Sequence, residues 1–208
     1  MAAYIMIAII AYAIGSINFS VIFSKKMAGI DIRKKGSGNA GTTNMFRNLG
    51  TKAAAVTFLC DIAKGIVSIF SALLLGWLLK EADRALLVQI AAIAVILGHT
   101  FPIFFELKGG KGVATALGIL LLINWQIGLI CLVFALVLMI LTREVSVGSL
   151  AAAILYPILT LFISTHYIVP GSYFLFSLLL ALIIIFNHRE NVKRIIHGTE
   201  NKISFSKK

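Results

Sequence analysis

Charge is scarce in this chain, and negative charge scarcer still. Asp and Glu number 8 against 19 Lys and Arg, and the charged types together make up only 13% of 208 residues. Soluble domains carry about 25% charged residues. So low a share, with 60% hydrophobic residues and a mean hydropathy of +0.99, excludes a soluble domain and any soluble appendage. Cysteine is nearly absent: Cys60 and Cys131 stand in apolar surroundings without CxxC or metal-ligand spacing, which leaves two inert packing residues and neither a disulfide nor a metal site. No basic stretch precedes the first apolar run; Lys25 and Lys26 follow it, against a cleavable signal peptide and for an N-terminus outside. Also missing is an aromatic-basic sheet motif. The formal net charge of +11 is therefore not a nucleic-acid footprint, because the positive residues sit in short segments between apolar runs.

What fills the chain is bilayer-length apolar sequence. Spans are expected near Ala3–Phe23, Ala53–Leu79, Ala85–Phe105, Val145–Ile163 and Val169–Phe186. The stretch from Val113 to Leu141 reads either as one long helix or as two short ones broken at Asn124-Trp125-Gln126, a polar and interfacial trio. Length does not decide between them, since Gly112–Ile123 would rise only about 18 Å as a helix. Charge does. With the break, only Lys80 and Arg84 share the N-terminal side of the membrane and 17 Lys/Arg lie on the other; without it the split is 9 against 10. Positive residues favour the cytoplasmic face. The expectation is thus an all-α polytopic membrane protein, a single domain over residues 1–208 with seven transmembrane helices, N-terminus outside and C-terminus cytoplasmic.

Three polar segments interrupt the apolar sequence, and seven spans would put them on one face. The first runs from Arg33 to Arg47. Gly36, Gly38 and Gly41 permit tight curvature, Ser37, Asn39, Thr42, Thr43 and Asn44 offer hydrogen bonds, and Arg47 offers a planar fork for a phosphate or carboxylate. The second contains Gly98-His-Thr-Phe-Pro102 and Lys108-Gly-Gly-Lys-Gly-Val-Ala-Thr115. Pro102 should stop a helix, and Gly109, Gly110, Lys111 and Gly112 should open the next one, where free N–H groups favour an anion. It is not a Walker A loop, because no Gly lies five residues before Gly110 and no Ser or Thr follows Lys111. His99 is either a helix-end histidine bonded to a backbone carbonyl or a site residue. Asp61 and Lys64, at i,i+3, read as an internal ion pair, although intramembrane ionisable groups are functional candidates. The third segment is the basic tail His188–Lys208. An amphipathic helix on anionic lipid explains its Lys and Arg but not His188 and Asn191, which share a helix face as a candidate pair. His166 and His197 read as surface histidines.

Together these segments resemble the bacterial membrane acyl-phosphate:glycerol-3-phosphate acyltransferases, the PlsY type. The matching residues are Gly36-Ser-Gly-Asn-Ala-Gly-Thr-Thr-Asn44, then Gly98-His-Thr-Phe-Pro102 with Lys108–Thr115, then His188-Arg-Glu-Asn191 and Gly198-Thr-Glu200. The resemblance covers essentially the whole chain. Ala40 stands where proline is common in the family, and Leu107 where phenylalanine is common; neither replaces a polar group. The resemblance implies transfer of a fatty acyl group from acyl phosphate to the 1-hydroxyl of sn-glycerol 3-phosphate, giving lysophosphatidate and phosphate, in a bacterial inner membrane. It also implies important roles for Ser37 and Arg47, a glycerol-phosphate loop at Gly109–Gly112 with Lys111 as its cation, a tail pair in His188 and Asn191, and a structural Glu200. Its substrates would be these two small molecules, its surroundings the lipid bilayer, and it would need no cofactor.

The residue chemistry agrees with that implication. Acyl phosphate is a mixed anhydride already activated for transfer, so the harder task is bringing two phosphates together. Like charges about 6 Å apart repel by roughly 3 kcal/mol per pair at an effective dielectric near 20, so two dianions face about 10 kcal/mol. Arg47 and Lys111, with Lys108 and Lys64 as neighbours, are the cations to offset this. Two rivals remain. An organic-anion transporter should carry ionisable residues at mid-membrane, whereas here they gather at the interface. An acyltransferase using acyl-carrier protein or acyl-CoA usually carries a His-x4-Asp pair, yet His99, His166, His188 and His197 are followed five positions on by Phe104, Gly171, Lys193 and Lys202.

Overall fold

The computed structural model describes residues 1–80, 83–165 and 170–203. His166, the Val169 start of the last expected span, and residues 204–208 of the basic tail lie outside the described residues. The helices are α1 (Ala2–Ser16), α2 (Phe19–Ala28), α3 (Thr42–Leu78), α4 (Arg84–Thr100), α5 (Val113–Ile123), α6 (Trp125–Thr142), α7 (Val145–Thr160), α8 (Pro170–Asn187) and α9 (Arg189–Ile196), with short 3-10 turns at Ile32–Lys34 and Ile103–Phe105. The chain divides into two compact units, one built on α1–α5 and the other on α6–α9.

Helix ends follow local chemistry. The Asn18 side chain accepts from the Val21 N–H and starts α2, and Gly29, at φ 67°, ends it in the left-handed conformation. The Asn18 cap divides the first expected span, Ala3–Phe23, into α1 and α2, which together, over Ala2–Ala28, are still long and apolar enough to cross a membrane. Asp83 caps α4 through the Leu86 N–H at 2.9 Å, and Pro102 lies just past its end, as expected of a proline stop. The 37-residue α3 is interrupted at Gly50, whose φ of 81° no ordinary helix contains. In the second unit Asn124 caps α6 by accepting from Ile127, so the ambiguous stretch breaks where the polar trio stands.

In the first unit α1 packs on α4, α3 on α4 and α5, and α2 against α3. Glycine sets the closeness. A β-carbon at Gly15 would collide with the Val95 carbonyl, one at Gly98 with the Tyr12 carbonyl, and one at Gly118 with the Ile62 carbonyl. Such small-residue contacts are how helices associate where lipid supplies no hydrophobic drive. Ile9, Phe70 and Trp77, each more than half exposed, point away from this interior. Exposed apolar faces of that length suit hydrocarbon rather than water. In the second unit α7 packs on α6 and α8, and the short α9 follows α8 at a 64° bend.

The span count differs from expectation. Among the described residues four helices are long and apolar enough to cross a membrane, or five if the bent α8–α9 pair is one span. α5 has 11 residues and α7 has 16, rises of about 16 and 24 Å against a hydrocarbon core of about 30 Å. Among the described residues four or five spans are thus of bilayer length, because caps and breaks shorten α5 and α7 below the apolar runs that hydropathy marks.

Candidate functional site

The first glycine segment is wound around one side chain. Asn44, buried in the first turn of α3, directs its amide nitrogen at the carbonyls of Ile32, Lys35 and Asn39, each at 3.0 Å. Its carbonyl oxygen accepts from the Ser37 N–H at 3.1 Å and from Asn48 Nδ2 at 3.0 Å. Gly36 has to be glycine: it lies at φ 55°, and a β-carbon there would collide with Asn44 Oδ1. Gly38, at φ 71°, completes the turn and leaves Ser37 exposed at its crest. Of the residues expected to bind substrate, Asn44 thus spends its polar atoms on the protein, as the centre of the loop. Thr43 and Arg47 follow half-buried on α3.

The second segment folds back on the end of α4. The N–H groups of Gly109 and Gly110 donate to the carbonyls of Thr100 and His99, both at 3.0 Å. A β-carbon at Gly109 would collide with the His99 carbonyl, and one at Gly110 with His99 Nε2. Gly112, at φ 87°, turns the chain into α5, and its carbonyl accepts from the Ala116 N–H. Lys111 is half-buried at the foot of that helix, whereas Lys108 projects outward, 3.9 Å from Glu106.

The two segments meet. The Ala40 N–H donates to the Gly109 carbonyl at 3.3 Å, a bond a proline at position 40 could not make. Arg33 forms a second tie, giving Nη1 to the Phe105 carbonyl at 2.6 Å while its Nε and Nη2 grip Asp31. The hydrogen bond from Arg33 holds the Asp31 carboxyl down at about 2, and the same bond pushes Arg33 upward. Arg33 was not singled out from sequence; the Asp31-x-Arg33 spacing was the signal available.

Beneath the junction lies a charged cluster. Lys64 Nζ is 2.9 Å from Asp61 Oδ1, as the i,i+3 spacing predicts, and also donates to the carbonyls of Gly15 and Ile17 at the end of α1. Lys64 is thereby committed to protein acceptors rather than to an incoming phosphate. His99 Nδ1 is 3.5 Å from the same Asp61 oxygen. Of the two sequence readings of His99, a helix-end histidine bonded to a carbonyl does not describe it: the ring is in the core, between Asp61 and Gly110.

In the second unit, considered by itself, His188 precedes α9 with Nδ1 2.7 Å from the Ile184 carbonyl, and Asn191 shares its buried face. Asn191 Nδ2 and Arg194 Nε each meet Glu200 at 2.9 Å, fixing the turn after α9. Glu190 faces outward beside Lys193, and His197 is exposed.

Residues 5–198 match the family described as Glycerol-3-phosphate acyltransferase. A protein of that name from Clostridioides difficile (strain 630) is 40% identical over 99% of this chain and 98% of its own length. One from Thermoanaerobacter sp. (strain X514) is 43% identical, over 96% and 95%. A crystal structure of PlsY (YgiH), an integral membrane glycerol 3-phosphate acyltransferase in its glycerol 3-phosphate form, superposes with a TM-score of 0.83 at 34% identity, covering 97% of this chain and 96% of that one. Its lysophosphatidic acid form gives 0.81.

The centrality of Asn44 is open to a direct test. Asn44→Ala strips partners from three carbonyls and the Ser37 N–H, and unsatisfied buried groups cost about 1–3 kcal/mol each, with partial relief from water. The expected result is a loss of about 2–4 kcal/mol in detergent unfolding and new protease cleavage within residues 33–41. Unchanged stability and protection would show that the loop stands without it.

Proposed function

This chain belongs to the glycerol-3-phosphate acyltransferase family, and we propose that it transfers a fatty acyl group from acyl phosphate to the 1-hydroxyl of sn-glycerol 3-phosphate. The products are lysophosphatidate and inorganic phosphate, the first step of phospholipid synthesis. The observation that carries the reading is the joining of two glycine segments through Ala40 and Gly109, with Arg47 one turn into the helix after the first and Lys111 beside the glycines of the second. Phosphate recognition calls for cations held beside tightly turned backbone at the start of a helix.

Transfer is direct. The glycerol hydroxyl oxygen attacks the acyl carbonyl carbon, the bond from that carbon to the phosphate oxygen breaks, and phosphate leaves. Arg47 and Lys111 offset the repulsion between the two phosphates, with Lys108 at the mouth and Gly36, Gly38, Asn39, Gly41, Thr43, Gly109, Gly110 and Gly112 shaping the cradle. Ser37 hydrogen-bonds a phosphate or the developing oxyanion. An activated donor gains little from a covalent acyl-enzyme, so Ser37 is not the nucleophile. A substrate phosphate takes the hydroxyl proton, and His188 and Asn191 are assigned, on the family resemblance, to positioning it.

We further propose that the chain works as one membrane-embedded domain in a bacterial inner membrane, crossing it seven times with the short α5 and α7 as thin spans. Both loops and the tail would then be cytoplasmic, in line with the charge split of 17 to 2.

Purified protein given glycerol 3-phosphate with palmitoyl phosphate, palmitoyl-CoA or palmitoyl-carrier protein separately should acylate from the phosphate alone. Without glycerol 3-phosphate it should release no burst of phosphate and gain no acyl mass. Transfer from a thioester instead would replace the donor, and a stoichiometric adduct on Ser37 would make the reaction ping-pong. Arg47→Ala and Lys111→Ala should each lower kcat/KM by about 100-fold or more, on the scale of lost charge-stabilising donors. Arg47→Lys should be nearly as poor if the bidentate fork is used; full activity in either alanine variant, at equal expression, removes that residue from the site. For topology, cysteines at Ser37, Lys108 and Ser206 should react with an impermeant thiol reagent only from the inside, and labelling of S206C from outside refutes the seven-span arrangement.

A further inference from the structure

The family reading leaves one buried cluster without a role: Asp61, Lys64 and His99, with relative exposures of 2%, 4% and 4%. An ion pair so deep does not persist for packing alone. Removing charges from water costs several kcal/mol per ion, and apolar residues of similar volume often do as well. Part of the cluster is accounted for by architecture. Lys64 satisfies the carbonyls of Gly15 and Ile17, which the end of α1 leaves without helical partners, and Asp61 balances its charge. Neither function requires His99.

His99 touches the second glycine loop in two ways. Its backbone carbonyl takes the Gly110 N–H at 3.0 Å, and its ring covers the face of Gly110 where a side chain would otherwise stand. The loop therefore rests on the ring. The Ala40 carbonyl borders the same face of Gly110, so the ring, the loop and the first segment pack at one point and a shift of the imidazole would disturb both segments. The far edge of the ring faces Asp61, whose carboxylate lies 3.5 Å from Nδ1. A line of contacts runs from the end of α1 through Lys64, Asp61 and His99 to Gly110, the residue before Lys111.

We propose that Asp61 and His99 are positioning residues for the glycerol 3-phosphate loop: they hold Gly110, and with it the outlet of Lys111, at the height where a phosphate is captured. This rests on the function proposed above. Neither residue touches the reacting atoms, so their loss should weaken acceptor binding while leaving the chemical step and the acyl donor nearly untouched. A purely architectural ion pair predicts something different, lower stability with both substrates affected alike.

The test is steady-state kinetics of wild type, His99→Ala, His99→Gln and Asp61→Asn in detergent, with each substrate varied in turn and Tm recorded. Wild-type turnover of glycerol 3-phosphate tests the parent reading; its absence with every donor removes that reading and the positioning role with it. With turnover present, His99→Ala should raise KM for glycerol 3-phosphate by about 10-fold or more, while kcat and KM for palmitoyl phosphate stay within about threefold. His99→Gln, which retains a polar ring substitute, and Asp61→Asn, which retains shape, should shift the same constant by less. The two conservative variants keep the test open should His99→Ala not fold. A fall in kcat at unchanged KM would place His99 in the chemistry and overturn the positioning role. Equal losses for both substrates with a lowered Tm, or no kinetic change, would leave only an architectural ion pair.

Discussion

Polar backbone beside hydrocarbon must find partners within the protein, and this requirement shapes the candidate site. Each glycine segment is chosen for a bare, curved backbone, yet the same bareness leaves N–H and C=O groups that neither helix nor sheet satisfies. Two devices close the account. Asn44 gathers three carbonyls and one N–H from the first segment around a single amide. The second segment lies along the end of α4, where His99 and Thr100 supply the carbonyls that Gly109 and Gly110 need. Both devices draw on helix ends, the only places where a helix has spare groups to offer.

The same logic sorts the basic residues. Arg33 is taken up by Asp31 and the Phe105 carbonyl, and Lys64 by Asp61 and the end of α1. These cations are part of the framework, and for Arg33 the hydrogen bond to Asp31 favours the charged form. A chain with so positive a balance can reserve some basic residues for structure and leave others, Arg47 and Lys111 among them, half-buried beside the glycine segments. Arg33 shows why a count of cations near a loop overstates the charge available to an anion: a guanidinium bound in both directions has little left to give.

Close helix packing completes the frame. Glycines at the α1–α4 and α3–α5 crossings bring those backbones together, and Lys64 on α3 joins α3 to the carbonyls at the end of α1. In the second unit, Glu200 plays for the turn after α9 the part Asn44 plays for the first loop, drawing Asn191 and Arg194 onto one carboxylate. Sites of this kind depend on supporting residues as much as on those that meet substrate.

By itself the sequence determined what depends on neighbours along the chain. The apolar runs, the stop at Pro102, the break at Asn124, the i,i+3 pairing of Asp61 with Lys64 and the three polar segments are all local, set by periodicity, capping and backbone freedom. The family, too, was legible from motif residues in order. Only the tertiary structure decided which polar groups are spent: that Asn44 closes a loop, that Arg33 binds the turn before Lys108, and that His99 lies between Asp61 and Gly110. Those partners are far apart in the chain, and their meeting depends on how closely α1, α3, α4 and α5 approach. Hydropathy likewise marked where the chain is apolar but not how long each helix runs, because helix length is set by caps, and a cap acts only when its side chain turns back onto the backbone.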